Sequence, residues 1–192
     1  NKANSQDSNN DYSNSSLTAE DYFYKAYNNE SDYQYQIDNY TKAIRIDPGL
    51  AEAYYNRGRV YDSLGKYYDA IDDYTKTIRI DPSSSGAYNN RGLVYVNLKR
   101  YNDAIDDYTK AIRIDPDYPK AYYNRGIAYF NLKRHNDALN DFTKAIRKDP
   151  GFASAYTNRG VIKEGLGLSY CSDYKKACDL GNQKACGWDY KQ

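Results

Sequence analysis

The sequence predicts an all-α fold made of repeated pairs of helices, and three observations lead to this prediction. Prolines recur every 34 residues, at Pro48, Pro82, Pro116 and Pro150. The segments before them are almost the same text (DNYTKAIRIDP, DDYTKTIRIDP, DDYTKAIRIDP, NDFTKAIRKDP), and those after them share A-Y-x-N-R-G at 53–58, 87–92, 121–126 and 155–160. Each repeat holds two helical patterns separated by a short break. The Asp-Pro pair stops the second pattern because proline cannot continue a helix.

Composition excludes several classes of protein. The chain has 192 residues with 27 basic and 26 acidic side chains, which gives a net charge of +1. A neutral surface gives no reason to expect nucleic-acid binding, which needs a basic face. A mean hydropathy of −1.00 and the lack of any long apolar run argue against a transmembrane span. Tyrosine is unusually common, at 25 residues against 4 phenylalanines, so we expect a core of rings that keep one polar end.

The first 16 residues have a different composition, rich in Asn and Ser. Such a stretch cannot bury enough apolar surface to offset its ordering entropy, so we expect a disordered tail. A second interpretation is a tether, because similar spacers follow the lipidated cysteine of bacterial lipoproteins. The chain contains no Met and begins at Asn1, which indicates a processed or truncated form. An exported, periplasmic or membrane-tethered lipoprotein is slightly favoured over a cytoplasmic protein.

The repeat resembles the tetratricopeptide repeat (TPR) family from about Leu17 to Leu180. With Ala51 as position 1, the family pattern is met by Tyr54 at 4, Gly58 at 8, Tyr61 at 11, Tyr67 at 17, Ala70 at 20, Tyr74 at 24 and Pro82 at 32. The next two units match at Tyr88, Gly92, Tyr95, Ala104, Tyr108 and Ala111, and at Tyr122, Gly126, Tyr129, Ala138, Phe142 and Ala145. Small residues at 8 and 20 let the two helices of a unit approach closely, while the rings fill the gaps. The resemblance implies a right-handed α-solenoid of about five TPR units with a C-terminal capping helix.

The match divides the chain into seven segments: a tail at 1–16, an atypical first unit at 17–50, units two to four at 51–84, 85–118 and 119–152, a fifth unit with a shortened turn at 153–180, and a cap helix at 181–192. The first unit has Glu20 and Tyr24 where an aromatic ring and a glycine are usual, so we expect its first helix to be a cap or to pack differently. The fifth unit carries Lys163 at position 11. Its second helix is in phase only if two residues are deleted from the turn.

One face of each first helix is left unused by packing. At 100° per residue, positions 2, 5, 6, 9, 12 and 13 lie opposite the packing positions, and stacked units align them into one surface. The resemblance identifies this surface as the concave groove of TPR proteins. Its predicted residues are Tyr55, Asn56, Arg59, Asn89, Asn90, Leu93, Asn97, Tyr123, Asn124, Ile127, Asn131 and Asn158. Apolar residues on the same face (Leu93, Val96, Ile127, Phe130, Val161) indicate a binding site, because exposed apolar surface of that extent is unusual.

Position 6 is Asn in four units, at Asn56, Asn90, Asn124 and Asn158. Two interpretations are open: these amides grip the backbone of an extended peptide, as an asparagine ladder does in O-GlcNAc transferase, or they satisfy local helix-turn groups. The arginines at position 7, Arg57, Arg91, Arg125 and Arg159, lie on the packing side. We expect them to be structural, with each guanidinium close to an aspartate.

All three cysteines lie near the C-terminus, at Cys171, Cys178 and Cys186. The text KKACDLGNQKACGW resembles cysteine-rich Sel-like repeat proteins, which are secreted and bridge successive helices at this spacing. The resemblance implies a Cys178–Cys186 disulfide that leaves Cys171 outside it. The alternative is three reduced thiols buried in a cytosolic protein. A metal site lacks a fourth ligand, since the single histidine lies two units away.

No catalytic group of residues is visible, so we expect no enzyme and no cofactor. The leading hypothesis is an adaptor or scaffold that binds an extended peptide or protein segment in its concave groove. The rival hypothesis is a self-associating structural module, either a homodimer or an end-to-end assembly. A redox role for Cys171 is a third and weaker hypothesis.

Overall fold

The computed structural model describes residues 17–187, so the predicted tail at 1–16 and residues 188–192 lie outside it. Within that range the chain forms helices without strands, as the sequence predicts. They are α1 (Ala19–Tyr27), α2 (Tyr33–Ile46), α3 (Ala51–Ser63), α4 (Tyr67–Ile80), α5 (Ser85–Asn97), α6 (Tyr101–Ile114), α7 (Pro119–Asn131), α8 (His135–Lys148), α9 (Ala153–Gly165), α10 (Cys171–Asp179) and α11 (Gln183–Cys186). None of these described helices is long and apolar enough to cross a membrane.

Successive helices pack as hairpins, and the hairpins stack in chain order into a solenoid. The Asp-Pro turn between units has a local cause. Asp47 ends α2 in an extended conformation, which the following proline favours. Its Oδ1 then accepts the backbone N–H of Gly49 at 2.8 Å. The first helices of consecutive units also touch, α3 with α5 and α5 with α7, so they form the inner, concave layer.

A glycine beneath an aromatic ring sets the distance between the helices of one unit. A Cβ at Gly92 would stand 2.7 Å from Cε1 of Tyr108, and one at Gly126 would stand 2.7 Å from Cε1 of Phe142. Carbon atoms need about 3.5 Å, so only glycine allows this approach. The rings themselves are buried, as expected of residues at position 24. The predicted packing reason for glycine at position 8 is therefore confirmed.

The arginines at position 7 link three helices in every unit after the first. Arg91 in α5 donates from Nε and Nη2 to the two carboxylate oxygens of Asp107 in α6, at 2.7 and 2.8 Å. Its Nη1 donates to Thr75 Oγ1 in α4 of the preceding unit, at 2.8 Å. Arg57, Arg125 and Arg159 repeat this arrangement with Asp73 and Thr41, Asp141 and Thr109, and Asp173 and Thr143. These residues form an Arg–Asp–Thr staple, which confirms the predicted structural role of the arginines.

Two tyrosine rings flank the arginine of the staples in units two to four, and one ring flanks Arg159 in the fifth. The guanidinium carbon of Arg91 lies 5.8 Å from the ring of Tyr88 and 5.9 Å from that of Tyr95, at positions 4 and 11. Burial alone would lower the pKa of Arg91, but the hydrogen bonds and charge of Asp107 outweigh it and raise the pKa. The arginine therefore stays charged, and the abundant tyrosines serve as the walls of a repeated ion pair.

The first unit lacks the staple. Phe23 and Asn39 occupy positions 7 and 23, where later units have Arg and Asp. Phe23 instead packs its ring against Tyr27 and Tyr40, at centroid distances of 5.9 and 5.7 Å. Helix α1 has only 9 residues and begins at a capping box between Thr18 and Asp21. Tyr24, at the glycine position, faces solvent. The first helix thus packs differently from its counterparts.

The last unit is two residues shorter in its turn, because Arg159 and Asp173 are 14 residues apart where the other pairs are separated by 16. Lys163 fills the place of the missing position-11 tyrosine, and its Nζ lies 2.8 Å from Asp173 Oδ2. Cys178 and Cys186 are joined at an S–S distance of 2.04 Å. A loop of this length contributes about 2.5 kcal/mol in the chain-entropy model. The disulfide holds α11 against the end of the array, while the rest of the predicted cap helix, 188–192, lies outside the described residues.

Candidate binding groove

The inner face of α3, α5, α7 and α9 carries the residues that the sequence assigns to a groove. Repeats of 34 residues place equivalent positions of these helices side by side. Positions 5 and 6 lie closest to the neighbouring units and form bonds between them. Positions 9, 12 and 13 point away from the packing side and are more exposed. The predicted set therefore divides into a bonding row and an exposed row.

The bonding row links α5, α7 and α9 each to the first helix of the preceding unit. Asn90 Nδ2 donates to Tyr55 Oη at 3.0 Å, and Asn158 Nδ2 donates to Tyr123 Oη at 3.0 Å. Asn124 Nδ2 donates to Asn89 Oδ1 at 2.9 Å. Each bond joins residues 35 positions apart, that is, position 5 of one unit and position 6 of the next. These amides therefore stabilise the stacking of units.

One predicted groove residue, Asn89, does not line the groove, and a second, Asn56, forms a local bond. Asn89 is only 3% exposed and donates to Asn90 Oδ1, so its side chain is part of the packed interior and does not face the groove. Asn56 donates from Nδ2 to the carbonyl oxygen of Glu52, which is the local helix bond of the second interpretation. The amides at position 6 thus use one N–H within the protein. The binding of a peptide backbone by these amides stays a prediction. It would use the second N–H of each amide and its oxygen.

The exposed row changes character along the groove. Leu93, Phe130 and Val161 are exposed and Ile127 is half-buried on α5, α7 and α9, which makes an apolar stripe. Ile127, Phe130, Phe142, Asn158 and Val161 enclose a shallow hollow of about 90 Å³ within it. Asn97 and Asn131 border the stripe with exposed amides. Apolar surface of this kind, flanked by amides, is typical of sites that bind a polypeptide.

The N-terminal end of the groove is a polar cleft of about 420 Å³ between the first and second units. Its walls are four tyrosines, three amides, a serine, one valine and three charged residues: Tyr27, Tyr33, Tyr40, Tyr74, Gln36, Asn56, Asn90, Ser63, Val60, Arg59, Glu30 and Asp62. Arg59 donates weakly to Asn56 Oδ1, at 3.3 Å. Burial raises the pKa of the Asp62 carboxyl. The groove thus runs from a polar cleft to an apolar stripe.

Sequence reasoning missed most of the cleft. Tyr27, Glu30, Tyr33, Gln36 and Tyr40 come from the first unit, whose short α1 departs from the repeat and opens space beside α3. The only signal in the sequence was that departure, at Glu20 and Tyr24. Within residues 17–187 no group of three His, Cys, Asp or Glu side chains is arranged to hold a metal ion.

Comparisons with known proteins agree with this architecture. Sequence profiles of the family described as "Tetratricopeptide repeat" match residues 51–84, 73–106 and 119–152, and one described as "TPR repeat" matches 94–133. All of them lie between 51 and 152, so the Sel-like character of the C-terminal segment stays a prediction. No curated protein sequence matches the chain at a significant level.

Several solved structures share the fold. A crystal structure of MamA is 31% identical with a TM-score of 0.75, over 82% of this chain and 93% of that one. YrrB, a TPR protein with an unusual peptide-binding site, is 25% identical with a TM-score of 0.71, over 86% of this chain and 87% of that one. The first TPR of Spaghetti (RPAP3), bound to the HSP90 peptide SRMEEVD, is 32% identical with a TM-score of 0.60, over 61% of this chain and 93% of that one.

Proposed function

Because the chain belongs to the tetratricopeptide repeat family, we propose that it is a protein-interaction scaffold whose concave groove binds an extended segment of a partner protein. The observation that carries the proposal is the apolar stripe on the inner face, formed by Leu93, Ile127, Phe130 and Val161. Solvated helix faces do not align apolar side chains over three consecutive units. Burying such a stripe supplies the free energy of binding.

The geometry also suits an extended segment. Asn97 and Asn131 lie along the edge of the stripe in the third and fourth units, with exposed amides. Asn131 Nδ2 donates to the carbonyl oxygen of Ile127 at 2.8 Å, so its second N–H and its Oδ1 are left for a ligand. Backbone groups of a bound peptide need such partners once they leave water. Affinity would then depend on apolar side chains, while hydrogen bonds to the backbone would tolerate varied sequences.

Two of the structural relatives support this assignment. YrrB has a peptide-binding site, and the RPAP3 domain was crystallised with a peptide of HSP90. Neither identifies the partner of this chain. We assign the chain a binding role, because tetratricopeptide repeat proteins are generally interaction modules.

The test is selection of peptides from a random 12-residue display library on the purified chain. We expect enriched peptides with apolar residues at regular spacing, and loss of their binding by Leu93→Asp and Phe130→Asp. The matched control is Tyr68→Asp, because Tyr68 lies on α4 with 73% exposure, away from the groove. Helicity and melting temperature should be unchanged in all three variants. Enriched peptides that bind Phe130→Asp as well as wild type would refute the groove.

Self-association remains the second candidate, favoured by exposed rings on the first unit. Tyr24 is 57% exposed and Tyr27 is 53% exposed on α1. If they pair two copies, the mass measured by light scattering rises with concentration and Tyr24→Ser abolishes the rise. A mass of one chain at all concentrations up to about 100 µM, near the weak end of protein–protein affinities, would exclude this candidate.

A further inference from the structure

The polar cleft at the N-terminal end of the groove contains groups that the fold does not use. Asp62 is half-buried, yet its carboxylate forms neither an ion pair nor a hydrogen bond within residues 17–187. Glu30, on the opposite wall, is equally without an ionic partner in that range. Every staple aspartate, by contrast, is paired with an arginine at 3.0 Å or less. A partly buried carboxylate without a partner loses solvation and gains nothing from the fold.

Tyr40 carries a second, independent group in the same cleft that has no hydrogen-bond partner among residues 17–187. Its side chain is only 2% exposed, and its hydroxyl has no hydrogen-bond partner in the described part of the chain. The groups that act on its pKa besides burial are Arg59 and Tyr27, both of which line the cleft. The hydroxyl is therefore directed into the cleft, where it can accept a hydrogen bond.

We propose that this cleft binds the cationic side chain, arginine or lysine, of the segment that occupies the groove. The inference rests on the proposed peptide-binding function and adds the chemistry of one anchor residue. Asp62 and Glu30 supply two negative charges, Tyr27 and Tyr33 supply exposed ring faces that attract a cation, and Tyr40 supplies its hydroxyl. The tyrosine-walled ion pairs of the staples show the same combination of groups holding a guanidinium inside this protein.

Arg59 does not reverse this preference. It is exposed, and its one hydrogen bond, to Asn56, is long at 3.3 Å. An exposed guanidinium keeps its hydration and can turn into solvent, whereas the half-buried Asp62 carboxylate has lost part of its hydration. The charge that lacks compensation is thus negative, and the ligand group that compensates it is positive.

The arrangement also orients the ligand. The cleft lies between the first and second units, while the apolar stripe begins at Leu93 in the third and continues to Val161 in the fifth. A bound segment therefore places its basic residue at one end and its apolar residues along the rest, so the spacing between them is constant.

The experiment uses the peptides selected on the full chain and measures their affinity by isothermal titration. We expect an arginine or lysine at a fixed distance from the apolar residues, and replacing it by citrulline or glutamine should weaken binding at least about tenfold. Asp62→Asn should weaken binding to a similar extent, and Arg59→Gln should strengthen it. Asp72→Asn, which removes an exposed carboxylate from α4, is the matched control and should leave affinity unchanged.

The outcomes separate the two proposals. Peptides with apolar residues but no basic preference, bound equally by Asp62→Asn, would overturn the cation cleft and leave the groove intact. Enriched acidic residues together with weaker binding by Arg59→Gln would reverse the sign and also overturn it. Binding that survives changes in the apolar stripe would overturn the proposed function itself.

Discussion

The first unit and the interior units of this array solve the same packing problem in different ways. Interior units bury an Arg–Asp pair, as in Arg91 with Asp107, and tie it to a threonine of the preceding unit. Among residues 17–187 no helical unit precedes the first one, which replaces both charges together, with Phe23 and Asn39. A buried charge is stable only with its partner in place. The comparison shows that the staple belongs to the interface between units and is lost where the interface ends.

The same difference creates the cleft. Interior first helices have 13 residues, whereas α1 has 9 and bears a tyrosine at the glycine position. Because Tyr24 cannot enter the space under the position-24 ring, α1 does not fill the inner face of its unit. The resulting gap exposes Asp62 and the hydroxyl of Tyr40. A departure at the end of the repeat thus opens a cleft that the regular units do not have.

The largest effect is expected from ionising the buried tyrosine at position 24, which the first unit shares with most of the later units. Burial raises the pKa of Tyr40 to about 12, and it raises the pKa values of Tyr74, Tyr108 and Tyr174. Since these pKa values exceed those of the unfolded chain, near 10, their stabilisation is complete below pH 10 and is lost as the pH rises further. Tyr40 alone should cost about 2 to 3 kcal/mol by pH 12. Urea unfolding followed by circular dichroism from pH 8 to 12 measures this loss, and a constant midpoint up to pH 12 would contradict it.

The next largest effect is expected from a variant that breaks the staple of an interior unit. Arg91→Ala should lower the free energy of unfolding by about 3 to 5 kcal/mol, because it leaves the buried carboxylate of Asp107 without its counter-ion. Arg100→Ala is the control in the same unit: the Arg100–Asp103 pair is half-exposed and should contribute at most about 1 kcal/mol. Adding Asp107→Asn to Arg91→Ala imitates the first unit and should recover part of the loss. If thermal unfolding showed that Arg91→Ala and Arg100→Ala lower the free energy of unfolding equally, the staple would not be a buried interaction.

A smaller effect is expected from a variant that tests the close approach of the two helices at the glycine of position 8, which only the later units have. Gly92→Ala should destabilise by about 1 to 3 kcal/mol, because the new methyl group overlaps the ring of Tyr108. Gly165→Ala, at the end of α9, has open space around it and should instead stabilise by up to about 1 kcal/mol. Opposite signs of the two shifts in denaturation midpoint are the expected result. Two stabilising shifts would mean that the ring can move aside.

The smallest effect is expected from a change at position 24, where two interior units carry different rings. The hydroxyl of Tyr108 is buried without a hydrogen-bond partner, while the fourth unit has Phe142 at the same position. Tyr108→Phe should therefore stabilise the protein by about 1 kcal/mol, since it removes an unsatisfied polar group. Tyr174→Phe is the contrasting change, because Tyr174 Oη donates to Glu164 at 3.1 Å and its loss should destabilise. A destabilised Tyr108→Phe variant in chemical denaturation would show that this hydroxyl has a partner in solution.

The sequence predicted the repeated elements well because they depend on local patterns. The 34-residue spacing fixes where helices stop, and glycine at position 8 with a ring at position 24 determines how they pack. The structural role of the arginines at position 7 was also readable, since a charge on a packing face requires a partner. The two-residue shortening of the last turn followed from the phase of the pattern.

The sequence predicted only part of the groove correctly. Helical periodicity places Leu93, Ile127 and Asn131 on the inner face, and the structure leaves them accessible there. The same periodicity cannot show that Asn89 is buried or that Asn124 bonds to it, because these contacts join residues of different units. An amide fits both a peptide backbone and a neighbouring side chain, so its partner is decided by which group lies within reach.

The sequence by itself therefore determined the helical hairpins, their number and the inner face on which the groove is proposed. Only the tertiary structure decided the cleft at the N-terminal end, where Asp62 and the hydroxyl of Tyr40 have no partner among the described residues. The physical reason is that a period specifies what every unit has in common, whereas a cavity arises where stacking ends and one helix is too short to fill its place. Shape at such an end depends on how non-equivalent side chains from two units pack, and no repeated pattern encodes that.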